Sequence, residues 1–210
     1  MSRAAPTLCG MTRFVATLLA AAAAKTYTVK DCKDQFIDGK GPEQLDGTTF
    51  LCRMKGKKAF FATSFDEDIH SPVWSAYKID KTQQEKDQGG RRGFKYDPDV
   101  PHESQTSSTA PAYKKEHRDI GHLAPSSTFT WDKSKDGAWE HTYLLTNVAP
   151  QGAWFNEHPW AMLERHMRDY VIDNDAELYI VTGVIQANPV VLDDGDAVPE
   201  YYYKVGGADG

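Results

Sequence analysis

Two clusters in this chain carry the residue types from which a phosphodiester-cleaving site is assembled. The first, His117-Arg118-Asp119-Ile120-Gly121-His122-Leu123-Ala124-Pro125, sets an aspartate three residues ahead of a histidine, with a glycine between them. The second runs Thr146-Asn147-Val148-Ala149-Pro150-Gln151 and is followed by Asn156, Trp160 and Glu164. Breaking a phosphodiester requires an activated water, charge relief on the phosphoryl oxygens and help for the departing oxygen. A neutral imidazole suits the first task near pH 7. A hard divalent cation suits the others, and Mg²⁺ keeps most of its waters, so one or two protein oxygens suffice to hold it. His122 is the candidate base, Asn156 the oxygen donor and Glu164 the nearby carboxylate. An arginine, Arg92 or its neighbour Arg91, is available to brace non-bridging oxygens. A zinc site on His117 and His122 finds no third ligand at zinc-like spacing.

These residues need a scaffold. The 210-residue length suits one domain with a substantial core. A hydrophobic content of 40% against 26% charged residues is that of a soluble globular chain, and 24 aromatic side chains argue for order. The net charge of −6 counts against binding that neutralises many phosphates, though not against an enzyme that touches a few and brings a cation. Arg3 and Arg13 precede an apolar run from Phe14 to Ala24, the pattern of a cleaved secretory signal over residues 1–24, with Met11 as a second candidate start. That run is too short to span a bilayer; its other reading is a buried Ala-rich helix. A mature domain would then cover 25–210. With Cys9 in the removed segment, Cys32 and Cys52 are left as an even pair, either joined in a disulfide or two separate buried thiols.

Strands are expected at 59–63 and 72–79, joined by the Asp66-Glu67-Asp68 turn, and further ones at 142–146, 177–185 and 199–205. The polar stretch 81–117, broken by glycines and prolines, is long enough to be a functional loop. A helix is expected over 156–171. Pro159 fits only in its first turn, which puts Asn156 at or near the N-cap, either capping or free to ligate. Glu164 would then lie about 12 Å along the axis and roughly 80° around from Asn156. The basic groups Lys114-Lys115, Lys55-Lys57-Lys58 and Arg165-His166-Arg168 are read as solvated charge, with a phosphate-tracking surface as the alternative. Trp154, His141 and His158 flank the site in sequence and receive no role.

The run Asp119-Ile120-Gly121-His122-Leu123-Ala124-Pro125, followed by Thr146-Asn147, Pro150-Gln151, Asn156, Trp160 and Leu163-Glu164, resembles the DNA/RNA non-specific endonuclease family, the ββα-metal nucleases. Trp74–Lys78, Arg92–Pro98, Leu178–Gly183 and Val198–Val205 are similar to that family's early strand, arginine-bearing loop and closing strands. The secretory start and the Cys32/Cys52 head resemble its animal branch of endonuclease domain-containing 1-like proteins. The resemblance implies an α+β, ββα-metal (His-Me finger) fold with a central antiparallel sheet flanked by helices. It implies Mg²⁺-dependent cleavage of DNA and also RNA, Mn²⁺ being the substitute ion. It makes His122 the general base, Asn156 the metal's protein ligand and Glu164 the carboxylate that orients the metal's waters. Arg92 would stabilise the transition state, Asp119 stand beside the base, and Asn147 and Gln151 shape the site. One position departs: Ile120 stands where the family usually has arginine, which supports an alternative reading as a catalytically weak extracellular binding protein. A phosphodiesterase for non-nucleic substrates is the other rival.

Overall fold

A computed structural model describes residues 25–83, 90, 92–106, 116–192 and 196–208. The expected signal segment, Arg91 and the Lys114-Lys115 pair lie outside the described residues. Nine strands are described: β1 (Thr48–Lys55), β2 (Lys58–Asp66), β3 (Ser71–Asp80), β4 (Arg118–His122), β5 (Val148–Gly152), β6 (Glu177–Ile185), β7 (Val190–Val191), β8 (Ala197–Val198) and β9 (Tyr201–Gly207). Five of them form an antiparallel sheet in the order β1-β2-β3-β6-β9. β4 and β5 pair antiparallel, and so do β7 and β8. The long helix α1 (Ala161–Asn174) follows a helical lead-in, Ala153–Phe155 and Asn156–Trp160.

The sheet is covered on both faces, which is why β2 and β3 read as nearly continuous buried runs. On one face Cys32 and Phe36 of the N-terminal segment pack on Cys52, Ala62, Trp74 and Ala76. On the other, Phe61, Tyr77, Ile79 and Ile180 meet Phe129, Ala124 and Val171 of α1. The consecutive Phe60 and Phe61 reach the same cluster because the β1–β2 register shifts between Arg53 and Met54, leaving Phe60 as the extra residue of a bulge.

Cys32 and Cys52 are joined in a disulfide that closes a loop of 20 residues and ties the N-terminal segment to β1. Chain-entropy reasoning makes such a link worth roughly 3 kcal/mol. A Cys32→Ser/Cys52→Ser double variant is therefore expected to unfold at distinctly lower urea concentration; equal midpoints would show that the covering segment needs no staple.

The strands expected at 59–63, 72–79 and 177–185 are present, the last with the same ends. The one expected at 142–146 is not. Ala138–His141 forms a single helical turn whose end is at Thr142, and Leu145–Asn147 is a 3-10 turn. The strand itself begins at Val148. The cause is Asn147, whose buried amide donates to Thr142 O (3.0 Å) and Ala124 O (2.9 Å) and so folds the backbone back where an extended segment was expected.

Candidate active site

β4 carries the first cluster and pairs with β5 in the register Asp119↔Gln151, Gly121↔Ala149, His122↔Val148. Together with the helix that follows, these strands make a ββα unit laid against the central sheet. Gly121 is needed for close approach: a Cβ there would lie 2.3 Å from Gln151 Oε1 and 2.7 Å from Gln151 Cβ. Gln151 is itself buried. Gly121→Ala is expected to cost about 1–3 kcal/mol by overpacking, read as a lower thermal midpoint; an unshifted midpoint would mean that the pair separates freely.

His122 ends β4 between two aromatic rings, Phe94 (centroids 5.3 Å) and Tyr143 (5.1 Å, edge-on). Its Nε2 is buried with no hydrogen-bond partner among the described residues. Burial pushes the imidazole down to a pKa of about 4, so it is neutral and able to accept a proton at pH 7. The loop that delivers Phe94 is fixed from two sides. Lys95 exchanges backbone bonds with Tyr143 and Leu145. Asp97, fully buried, pairs with Arg53 of β1 at 2.9 Å, and its backbone N–H donates to Gln105 Oε1 at 2.8 Å.

The other half of the site lies on the helix. Ala153–Phe155, the π-helical Asn156–Trp160 and α1 are consecutive, with helical backbone angles at the joins. The expected place of Asn156, at or near the N-cap, is corrected: Gly152 is the N-cap, and Pro159 sits in the wide π turn, which tolerates its missing N–H. The π turn adds one residue to the helical phase. The eight residues from Asn156 to Glu164 therefore behave as seven, about 20° short of two full turns, instead of roughly 80° apart. Asn156, Glu164 and Arg168 thus share one helix face. Asn156 Nδ2 donates to Asp119 Oδ2 at 2.8 Å and Arg168 donates to Ser127 Oγ at 2.9 Å. Asp119 and Ser127 bracket His122 in the chain, so Glu164, between the two contacts, faces the segment that bears the imidazole.

Glu164 is nearly enclosed. Burial raises its pKa, opposed by the charges of Lys204 and then Arg168. The Lys204 ammonium, wholly buried, donates to Thr182 Oγ1 (2.8 Å), Tyr77 Oη (3.1 Å) and Glu164 Oε1 (3.4 Å), and lies 4.8 Å from the Trp160 ring centre. This cation, 40 residues from its carboxylate, was not singled out in the sequence; the only signal is a lysine on the inward face of a tyrosine-rich strand.

The remaining expected residues divide. Asn147 is fully buried and clamped: its Oδ1 accepts from Ala124 N–H (2.9 Å) and Ser75 Oγ (3.0 Å) while its Nδ2 serves two carbonyls. It holds the backbone just after His122 and offers nothing to a substrate. Arg92 stands at the rim, its guanidinium 2.8 Å from Glu140 and over Trp139, two residues from the Phe94 that touches His122. Reaching a phosphate would mean exchanging Glu140 for it. Ile120 packs on Leu192 and Val198 under the β7–β8 pair. Of the basic groups, Lys55 donates to Ser134, Lys58 covers Trp131 and Arg168 is turned inward, so these do not form one exposed track.

A hard divalent cation fits this donor set. With its amide nitrogen held by Asp119, Asn156 has its amide oxygen left for a ligand, and the Glu164 carboxylate lies on the same face. Among the described residues no three His, Cys, Asp or Glu side chains converge as they would in an all-protein cage. A set with so few protein donors suits a cation that retains most of its water ligands.

Comparison with known proteins identifies the family. A "Nuclease" of Syncephalastrum racemosum is 37% identical over 94 residues, 44% of this chain and 28% of that protein. Mitochondrial nuclease EXOG of Danio rerio is 26% identical over 200 residues, 88% of this chain and 56% of its own length. Human mitochondrial endonuclease G is 26% identical over 176 residues, 76% of this chain. The chain thus spans little more than half the length of the longest-matching relatives. Among solved structures, a chain of the EndoG/EndoGI complex superposes with a TM-score of 0.57 at 24% identity, covering 74% of this chain and 67% of that one, which establishes the shared α+β ββα-metal architecture. Residues 44–206 match the profile of the DNA/RNA non-specific endonuclease family, and the chain belongs to that family.

Proposed function

We propose that the chain is a secreted, divalent-metal-dependent endonuclease that hydrolyses DNA and RNA with little sequence preference. The observation that carries this reading is that one ββα unit bears both a buried imidazole with an unpartnered ring nitrogen and an Asn156–Asp119 hydrogen bond that leaves the amide oxygen for a ligand. His122 takes a proton from the attacking water. Asn156, aligned by Asp119, would hold Mg²⁺, with Mn²⁺ able to substitute, and Glu164 would orient the ion's water ligands. When bound, the ion supplies Lewis acidity and charge neutralisation at the phosphoryl oxygens. Arg92 would brace those oxygens on leaving Glu140. Every one of these groups addresses the phosphodiester and none a base edge, which accounts for cleavage without sequence preference. Secretion is supported by the basic-then-apolar N-terminus and by the Cys32–Cys52 disulfide, a bond that persists in oxidising compartments.

Digestion of plasmid DNA and of RNA by protein beginning at Lys25, with Mg²⁺ and with EDTA, tests the activity. Metal-dependent cutting of both is the expected result, and no cutting by folded protein with either Mg²⁺ or Mn²⁺ overturns it. That outcome would favour the second reading, a binding protein on the same scaffold. Its particular support is Ile120, which fills an apolar contact where a cation would otherwise stand near the base. Expression of the full chain, with N-terminal sequencing of the product, tests secretion; retention in mitochondria would exclude it.

A further inference from the structure

Trp154 is the one tryptophan among the described residues that stands mostly in solvent, 70% exposed, while Trp74, Trp139 and Trp160 are each under a tenth exposed. It is not a loose side chain. His158, one helical turn on, stacks on it with ring centroids 5.5 Å apart and planes 17° from parallel. The His158 ring is tethered in turn, its Nδ1 3.0 Å from Trp154 O. A flat, pre-ordered pair of rings therefore faces solvent and touches no core cluster.

Its place is specific. Trp154 lies two residues before Asn156, in the turn that opens the site's helix, and Ala153 N–H donates to His117 O at 3.2 Å, which anchors that turn to the start of β4. Next to it along the helix or across that anchor are Arg118, whose Nε is 3.6 Å from Glu116, and the exposed His117, Glu157 and His158. Among the described residues there is no strong basic patch for a phosphate here; what they offer is a π face. An aromatic platform beside a phosphodiester site matches one substrate feature, the face of a nucleobase. In a duplex that face is hidden by neighbouring pairs, whereas in a single strand it is available, and every base has one.

We propose that Trp154 and His158 form a stacking platform for an unpaired nucleobase next to the scissile phosphate, so that the site favours single-stranded over duplex nucleic acid. This rests on the nuclease reading above. Because the rings are already stacked and tethered, little ordering accompanies binding, and the gain per base is kept.

The test measures affinity of a fluorescent oligothymidine, alone and annealed to its complement, in a His122→Asn background that cannot cut. Trp154→Ala, Trp154→Phe and His158→Ala are compared there, and the same Trp154 changes are assayed for kcat and KM in the His122 protein. Trp154→Ala is expected to lower the ratio of single-strand to duplex affinity by about tenfold, within the roughly 5- to 160-fold that one base stack supports. Trp154→Phe should restore most of it, and in the active protein the loss should fall on KM for the single strand. Equal weakening on both substrates, or none, overturns the platform while leaving the nuclease intact. A dimer in light scattering that Trp154→Ala dissociates would also overturn it, by assigning the rings to a second copy. Failure to bind or cut either substrate would sink the nuclease reading and the platform together.

Discussion

Replacing His122 with asparagine is expected to lower kcat/KM on plasmid DNA by about 10²- to 10⁴-fold, the range that a positioned general base contributes. Folding should survive the change. The native imidazole lies between Phe94 and Tyr143 and its Nε2 makes no hydrogen bond among the described residues that the smaller asparagine would break. The pH dependence separates this role from a structural one. Burial holds the His122 pKa near 4 against about 6.5 in an unfolded chain. The imidazole thus stays neutral as pH falls from 7, and the acid limb of kcat/KM assigned to the base should lie well below 6.5. The linkage has a definite sign. Below pH 6.5 the unfolded imidazole takes up a proton that the folded one refuses, so stability falls progressively until about pH 4, by up to about 3 kcal/mol. The asparagine variant should lack that slope. Urea titrations at pH 7 and pH 4.5 on both proteins read the difference; identical pH slopes, or an acid limb at 6.5, would place His122 in open water and deny the pocket its part in tuning the base.

How much of this was readable in advance depends on the length scale of each interaction. β3 and β6 announced themselves because their apolar residues are contiguous and their ends are marked by polar turns. The His122, Asn156 and Glu164 set was legible as residue types in order, a property of the string. The phase that unites Asn156 with Glu164 was not, because an ideal α-helix sets them on different faces and the π turn around Pro159 leaves no unambiguous mark in composition. β4 was hidden for a related reason: five residues, Arg118–His122, include charge and glycine, and their extension comes from pairing with β5. Tertiary partners of isolated charges were least visible. Nothing near Glu164 in sequence points to Lys204, nothing near Arg92 to Glu140, and nothing near Arg53 to Asp97, which arrives from 44 positions away. Asn147, expected to shape the site, makes four hydrogen bonds, three to backbone and one to Ser75 Oγ, and so has none left for a ligand.

The second large effect is expected at Asn156. Among the described residues its amide combines a free oxygen, an alignment and a position that suit a hard cation, so Asn156→Ala should weaken divalent binding by about 100-fold or more and lower cleavage with it. Asp119→Ala should do less. There the amide oxygen remains while the carboxylate that fixes it 2.8 Å from Asp119 Oδ2 is gone, and losing such an orienting partner costs about 10- to 100-fold in metal affinity. The order of the two variants matters more than either size. If Asn156 merely capped or stiffened the helix, both changes would lower the melting temperature and leave metal affinity alone. Gly152 already caps the helix and Asn156 makes no capping bond, so that outcome is disfavoured on geometry. Mn²⁺ binding followed by electron paramagnetic resonance reads affinity without cleavage, and can be made on protein carrying His122→Asn. Equal Mn²⁺ affinity in the parent and in Asn156→Ala would remove the ion from this face of the helix. Glu164 would then be a buried side chain paired with Lys204 for the fold alone, and the ββα unit would lose the cation proposed for its chemistry.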